Sequence, residues 1–114
     1  MFSLTSSHQY YLYIPSTDMR KSFDSLSGIV QSQLKRNPTS GEVYIFLNRR
    51  RNQVKLLHWE SGGFVMYYKR LERGNFELPA QGDGSLTWPQ LVMMVEGVSQ
   101  KDIKMRKRFD KKSA

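Results

Sequence analysis

A chain of 114 residues, 39% hydrophobic and 12% aromatic, carries enough apolar material for one core and too little for two. It has no cysteine, which excludes disulfides, thiolate metal sites and cysteine nucleophiles and suits a cytoplasmic protein whose interior holds by packing alone. A formal net charge of +8 favours acidic partners, nucleic acid first, and no apolar run reaches the roughly 20 residues of a membrane span, so none is expected to cross a membrane.

Met1–Ser7 reads as a frayed polar leader with no secretory signal in it. Tyr10–Ile14 has high strand propensity, and Pro15 stops that strand. Asp18 is placed to cap a helix over 19–34, where Phe23, Leu26, Val30 and Leu34 recur at helical spacing. Arg20 and Lys21 then fall at the helix start, where the dipole disfavours cations, which makes the pair a candidate for binding. Asn37-Pro38 through Gly41 ends the helix.

Four strand-like runs follow at short intervals, over 42–47, 54–60, 63–70 and 75–78, with turns at 48–53, 61–63 and 73–75. Intervals this short leave no room for crossover helices and predict an antiparallel meander. Apolar residues occupy both faces of the first two runs, so both faces need a cover: the first helix, a second helix, or another copy of the chain, which allows a homo-oligomer. Residues 80–85 read as a flexible loop. Thr87 and Gln90 then form a capping box, with Leu86 and Leu91 as a hydrophobic staple and Pro89 in the first turn of a buried helix that Gly97 ends. The fold expected is α+β: one domain over 1–98, a mostly antiparallel meander of four to five strands with two helices packed on it. A basic, flexible tail is expected over 99–114.

The charge is concentrated in two places. Residues 101–114 hold seven basic side chains against Asp102 and Asp110, which accounts for five of the eight net charges. The second place is the turn Asn48-Arg49-Arg50-Arg51-Asn52, where three like charges repel at a hairpin tip and no fold requires them. If 54–60 pairs with 63–70, Lys69 and Arg70 come beside that turn, and Arg49, Arg50, Arg51, Lys55, Lys69, Arg70 and Arg73 would gather along a phosphate backbone. Tyr67 and Tyr68 are half-buried sheet residues or, on the functional reading, stacking platforms for unpaired bases. Catalytic chemistry is sparse. His58 and Glu60 share a strand face and could serve as an acid/base pair, but no Gly-x-Ser-x-Gly elbow, carboxylate cluster or phosphate loop accompanies them. No enzyme activity, metal or cofactor is expected.

Met19–Leu26, Ser40–Arg51, Lys55–Glu60 and Tyr67–Gly74, in this order and spacing, resemble the small accessory protein of insertion-sequence-sixty-six elements, called TnpB or Orf2 there, and Leu86–Val98 resembles its closing segment with Glu96-Gly97. The resemblance spans 19–98, leaving residues 1–18 and the tail from Gln100 outside the shared pattern. It implies a non-catalytic protein encoded beside a separate transposase and needed for efficient transposition, unrelated to the RNA-guided nuclease that shares the TnpB name. The partners expected are DNA at the element ends, the transposase and other element-encoded proteins. The competing expectation is an adaptor that docks on the transposase through the apolar sheet and Trp59 or Trp88 without touching DNA; a nuclease using His58 and Glu60 is a third.

Overall fold

A computed structural model describes residues 4–79 and 82–96. The basic tail and Gly97 lie outside the described residues. In chain order the elements are β1 (Tyr10–Tyr13), α1 (Phe23–Ser32), β2 (Val43–Leu47), β3 (Gln53–Glu60), β4 (Gly63–Arg70), β5 (Ser85–Leu86) and α2 (Trp88–Val95). They build a single α+β sheet of order β4-β3-β2-β1-β5. β2, β3 and β4 form the expected antiparallel meander, in register from Val43↔His58 to Leu47↔Val54 and from Gln53↔Arg70 to Glu60↔Gly63.

The first strand adds what the meander did not predict. β1 lies parallel to β2, with Tyr10 beside Val43 and Tyr13 beside Phe46, and α1 is the crossover between them. The sheet is therefore mixed. Residues 75–78 form no strand; Phe76 is instead buried in the core at 1% exposure. The loop expected over 80–85 contributes Ser85 to the edge strand β5. There Gly84 has a structural reason: its φ is +87°, and a Cβ would stand 2.6 Å from the Leu12 carbonyl oxygen.

Both faces are covered, as their double apolar pattern requires. One core joins Tyr10, Leu12, Val43, Ile45, Val54, Leu56 and Phe76 to Leu91 and Met94 of α2. The other joins Tyr44, Phe46 and Leu57 to Leu26 and Val30 of α1. α2 begins as its sequence predicts, with Thr87 Oγ1 accepting from the Gln90 amide and Gln90 Oε1 accepting from the Thr87 amide. α1 begins differently. Its first residue is Phe23, behind Ser22, so Asp18 caps nothing there and Arg20 and Lys21 precede the helix instead of opposing its dipole. It ends before Pro38 is reached: Lys35 turns left-handed at φ 56° and the Arg36 amide closes on the Val30 carbonyl at 3.0 Å. Leu4–Ser7, expected to fray, are tied in by Leu4 packing on the α2 core and by the Tyr10 hydroxyl donating to the Thr5 carbonyl. Among the described residues no helix is long and apolar enough to cross a membrane.

Candidate nucleic-acid interface

The topology sends three loops to one end of the sheet. β1, β2 and β4 finish there and β3 starts there, so residues 14–22, 48–52 and 71–76 are neighbours. Arg20, Lys21, Arg49, Arg50, Arg51 and Arg73 lie in these loops and Arg70 at the end of β4, against Asp18 and Glu72.

The arginine turn is shaped by asparagines, not by its arginines. Asn48 Oδ1 accepts from the amides of Asn52 and Gln53, both at 3.0 Å, and Asn48 Nδ2 donates to Asn52 Oδ1 at 2.7 Å. The Arg51 amide donates to the Asn48 carbonyl at 3.0 Å, which leaves Arg51 left-handed at φ 58°. Behind the turn, residues 71–76 act as a backbone clamp. The Leu71 amide reaches the Asn52 carbonyl at 2.7 Å, the Phe76 amide reaches the Arg51 carbonyl at 2.6 Å, and Asn75 Nδ2 donates to the Arg50 carbonyl. Arg49, Arg50 and Arg51 are exposed, and among the described residues none has an ion-pair partner. Arg73 is likewise exposed. Shallow clefts flank Arg50, one walled by Ser16–Met19 and Asn48–Arg49, the other by Leu71–Asn75.

The other residues singled out from sequence divide. Arg70 reaches this end as expected, opposite Gln53, and ion-pairs with Glu72 at 3.4 Å on an exposed surface. Arg20 is bound to Asp18, its Nη2 2.7 Å from the carboxylate, and the side-chain and amide hydrogen bonds from Arg20 hold the Asp18 carboxyl down at about 2. Lys21 is exposed.

Two lysines are committed elsewhere. Lys55 is only 7% exposed, on the α1 face, and its Nζ donates to the carbonyls of Met19 and Lys21 at 2.7 Å each beneath the Tyr68 ring. Lys69 points to the opposite face and donates to the Val95 carbonyl at the end of α2 at 2.8 Å. Neither ammonium lies in the exposed arginine cluster. Sequence reasoning also missed the residues that organise it, Asn48, Asn52 and Asn75; the asparagines bracketing the arginines were the available signal. A Lys55→Met chain should lose about 1–3 kcal/mol through two orphaned carbonyls, read as a lower thermal midpoint, while the salt dependence of any polyanion binding stays unchanged. An altered salt slope would place Lys55 in the binding surface after all.

Tyr67 packs into the α2 core, whereas Tyr68 is 53% exposed and donates to Gln53 Oε1 at 2.8 Å. His58 is 3% exposed, its Nε2 3.5 Å from Glu60 and its ring edge-on to His8 at 5.1 Å. The two are thus adjacent, with His58 buried in the sheet and the Glu60 side chain 33% exposed at the end of β3. Among the described residues no group of three or more His, Asp or Glu is placed to hold a metal ion.

The family of IS66 Orf2-like proteins matches residues 8–107. That match begins before β1 and runs into the basic tail, so both ends, expected outside the shared pattern, belong in part to it. The chain is 34% identical over 84 residues to the uncharacterized protein y4hO of Sinorhizobium fredii (strain NBRC 101917 / NGR234), covering 72% of this chain and 73% of that protein. It is 30% identical over 69 residues to y4jC of the same strain, covering 60% of this chain and 59% of the relative. No solved structure matches significantly. With a family pattern spanning every element from β1 to α2, the chain belongs to the IS66 Orf2-like family of insertion-sequence accessory proteins.

Proposed function

We propose that the protein binds DNA at the ends of its insertion sequence without cutting it and assists a separate transposase. The observation that carries this reading is the division of labour in the arginine turn: asparagine side chains and the 71–76 clamp hold its backbone, and the three exposed guanidiniums have no ion-pair partner among the described residues. Arg70, Arg73 and Lys21 extend the cationic surface, while Arg20 is partly neutralised by Asp18. Backbone phosphates suit such a surface, because each neutralised phosphate releases condensed counterions and guanidinium forks match phosphate oxygens. His58, buried in the sheet, has no open path to a scissile bond, which supports a non-catalytic role.

A second reading, an adaptor docking on the transposase, is favoured by an apolar recess beside α2 lined by Leu56, Tyr67, Trp88, Leu91 and Val95, with Val92 and Met93 each 37% exposed. Binding measured against salt, with element-end DNA, unrelated DNA and RNA, separates the two. DNA binding predicts a steep fall of affinity with salt, by roughly one decade per decade of salt for each phosphate contacted. Transposase capture that survives nuclease treatment and is insensitive to salt would replace the DNA reading with the adaptor.

A further inference from the structure

Among the described residues nothing guards the long edge of the sheet. β5, at one margin, is two residues long; β4, at the other, runs eight residues from Gly63 to Arg70. It pairs with β3 without a bulge, contains no proline, and has its only charges at the final two positions, Lys69 and Arg70. The devices by which sheets protect an edge are therefore missing from Gly63 to Tyr68. The side chains there are apolar on both faces, Phe64, Met66 and Tyr68 toward α1 and Val65 and Tyr67 toward α2.

Which peptide groups are free follows from the ladder. The Leu71 amide bonds inward to Asn52, one step beyond the Gln53↔Arg70 pair. By the alternation of antiparallel ladders, Val65, Tyr67 and Lys69 also bond inward, and Phe64, Met66, Tyr68 and Arg70 direct their N–H and C=O groups outward.

We propose that β4 pairs antiparallel with β4 of a second copy of this chain, about a two-fold axis at Tyr67, to make one continuous sheet across the dimer. A two-fold axis normal to the sheet keeps like faces together, so opposed residues must share a face, and the Tyr67-centred register engages all the outward-directed residues. On the α1 face it sets Met66 opposite Tyr68 and Phe64 opposite Arg70 of the other copy. Phe64 already meets Trp59 edge-on at 4.9 Å, so the guanidinium arrives at an aromatic pair, a cation–π arrangement repeated by symmetry. On the α2 face Tyr67 meets its own copy. The choice of a second copy rests on this self-complementarity and on charge. Antiparallel pairing sends the two arginine ends to opposite extremities of the dimer, whereas parallel pairing would press them together.

The absence of cysteine makes a direct test available. Tyr67→Cys places the lone thiols opposite each other at a non-hydrogen-bonded pair, where Cβ atoms stand about 4.5–5.5 Å apart and a disulfide needs only a small shift. Mild oxidation should convert most of this variant to a covalent dimer, while Val65→Cys, whose counterpart is Lys69, stays largely uncrosslinked. The unmodified chain should sediment at twice its 13.4 kDa at micromolar concentration. Met66→Pro removes an outward amide without touching the β3 ladder, and should return the monomer with the far-UV spectrum intact; Tyr68→Lys should do the same. A wild-type monomer at roughly 100 µM, equal crosslinking of the two cysteine variants, or a folded Met66→Pro dimer would overturn the proposal. So would a monomer whose β4 amides gain exchange protection only when transposase is added.

Discussion

Replacing Arg49, Arg50 and Arg51 together with alanine should lower affinity for element-end DNA about a hundredfold at physiological salt and flatten the dependence of log affinity on log salt by about two to three. The first figure follows from losing three charge-assisted contacts at an exposed surface, each of order 1 kcal/mol. The second is independent of it, because it counts released counterions. Together they separate phosphate contact from a fold defect, since a destabilised chain loses affinity at every salt concentration alike. The fold should tolerate the change: the turn is closed by Asn48 and Asn52 and clamped through the carbonyls of Arg50 and Arg51, groups that alanine retains. Removing three mutually repelling charges should leave the thermal midpoint equal or slightly higher. An unchanged salt slope in the triple variant would take the arginine turn out of the interface.

Much of this surface was legible before any geometry, and what was not has physical causes. The hairpin β3–β4 could be read because two strand-like apolar runs flank Ser61-Gly62-Gly63, and its register delivered Arg70 beside the arginine turn. The capping box of α2 was readable because it is a local exchange of two hydrogen bonds. The lysines failed for the opposite reason. Lys55 lies in a strand apolar on both faces, so its ammonium had to be buried against something; that something is the pair of carbonyls at Met19 and Lys21, more than thirty residues away in sequence. Lys69 adjoins Arg70, but adjacent strand residues face opposite ways, which carries it to the end of α2. Composition reports a charge and period two reports its face; neither reports a distant acceptor.

β1 shows the same limit at the level of topology. Its strand character is plain in Tyr10–Tyr13, but whether it joins an edge or the interior depends on where α1 lets the chain return. Insertion between β2 and β5 buries Tyr10 and Leu12, and it brings the 14–22 loop to the arginine end, with the Thr17 amide 2.8 Å from the Leu47 carbonyl. Lys21 and the Arg20–Asp18 pair reach the candidate interface only through that crossover. Helical placement of the two cations would have set them against the α1 dipole; in the loop they meet no such penalty.

Phe76→Ala should be the most damaging single substitution for both stability and binding, although the residue lies in what the sequence offered as a strand. Its ring is 1% exposed and joins the core of Val54, Leu56 and Leu91, so truncation should cost about 3–5 kcal/mol. In a domain of this size that is a large part of the total, and the thermal midpoint should fall by more than about 10 °C. The same ring anchors the clamp. With Phe76 loosened, its amide bond to Arg51 and the Asn75 bond to Arg50 lose their support, and Arg73 leaves its place beside the turn. DNA affinity should therefore drop even well below the midpoint, where the chain is folded. Phe76→Leu, which keeps most of the apolar volume, should recover much of the stability and most of the affinity. Arg73→Ala should lower the salt slope by about one and leave the midpoint alone. If Phe76→Ala weakened binding no more than Arg73→Ala at temperatures where both are folded, the clamp would serve only to place Arg73; a larger loss means that it also shapes the arginine turn.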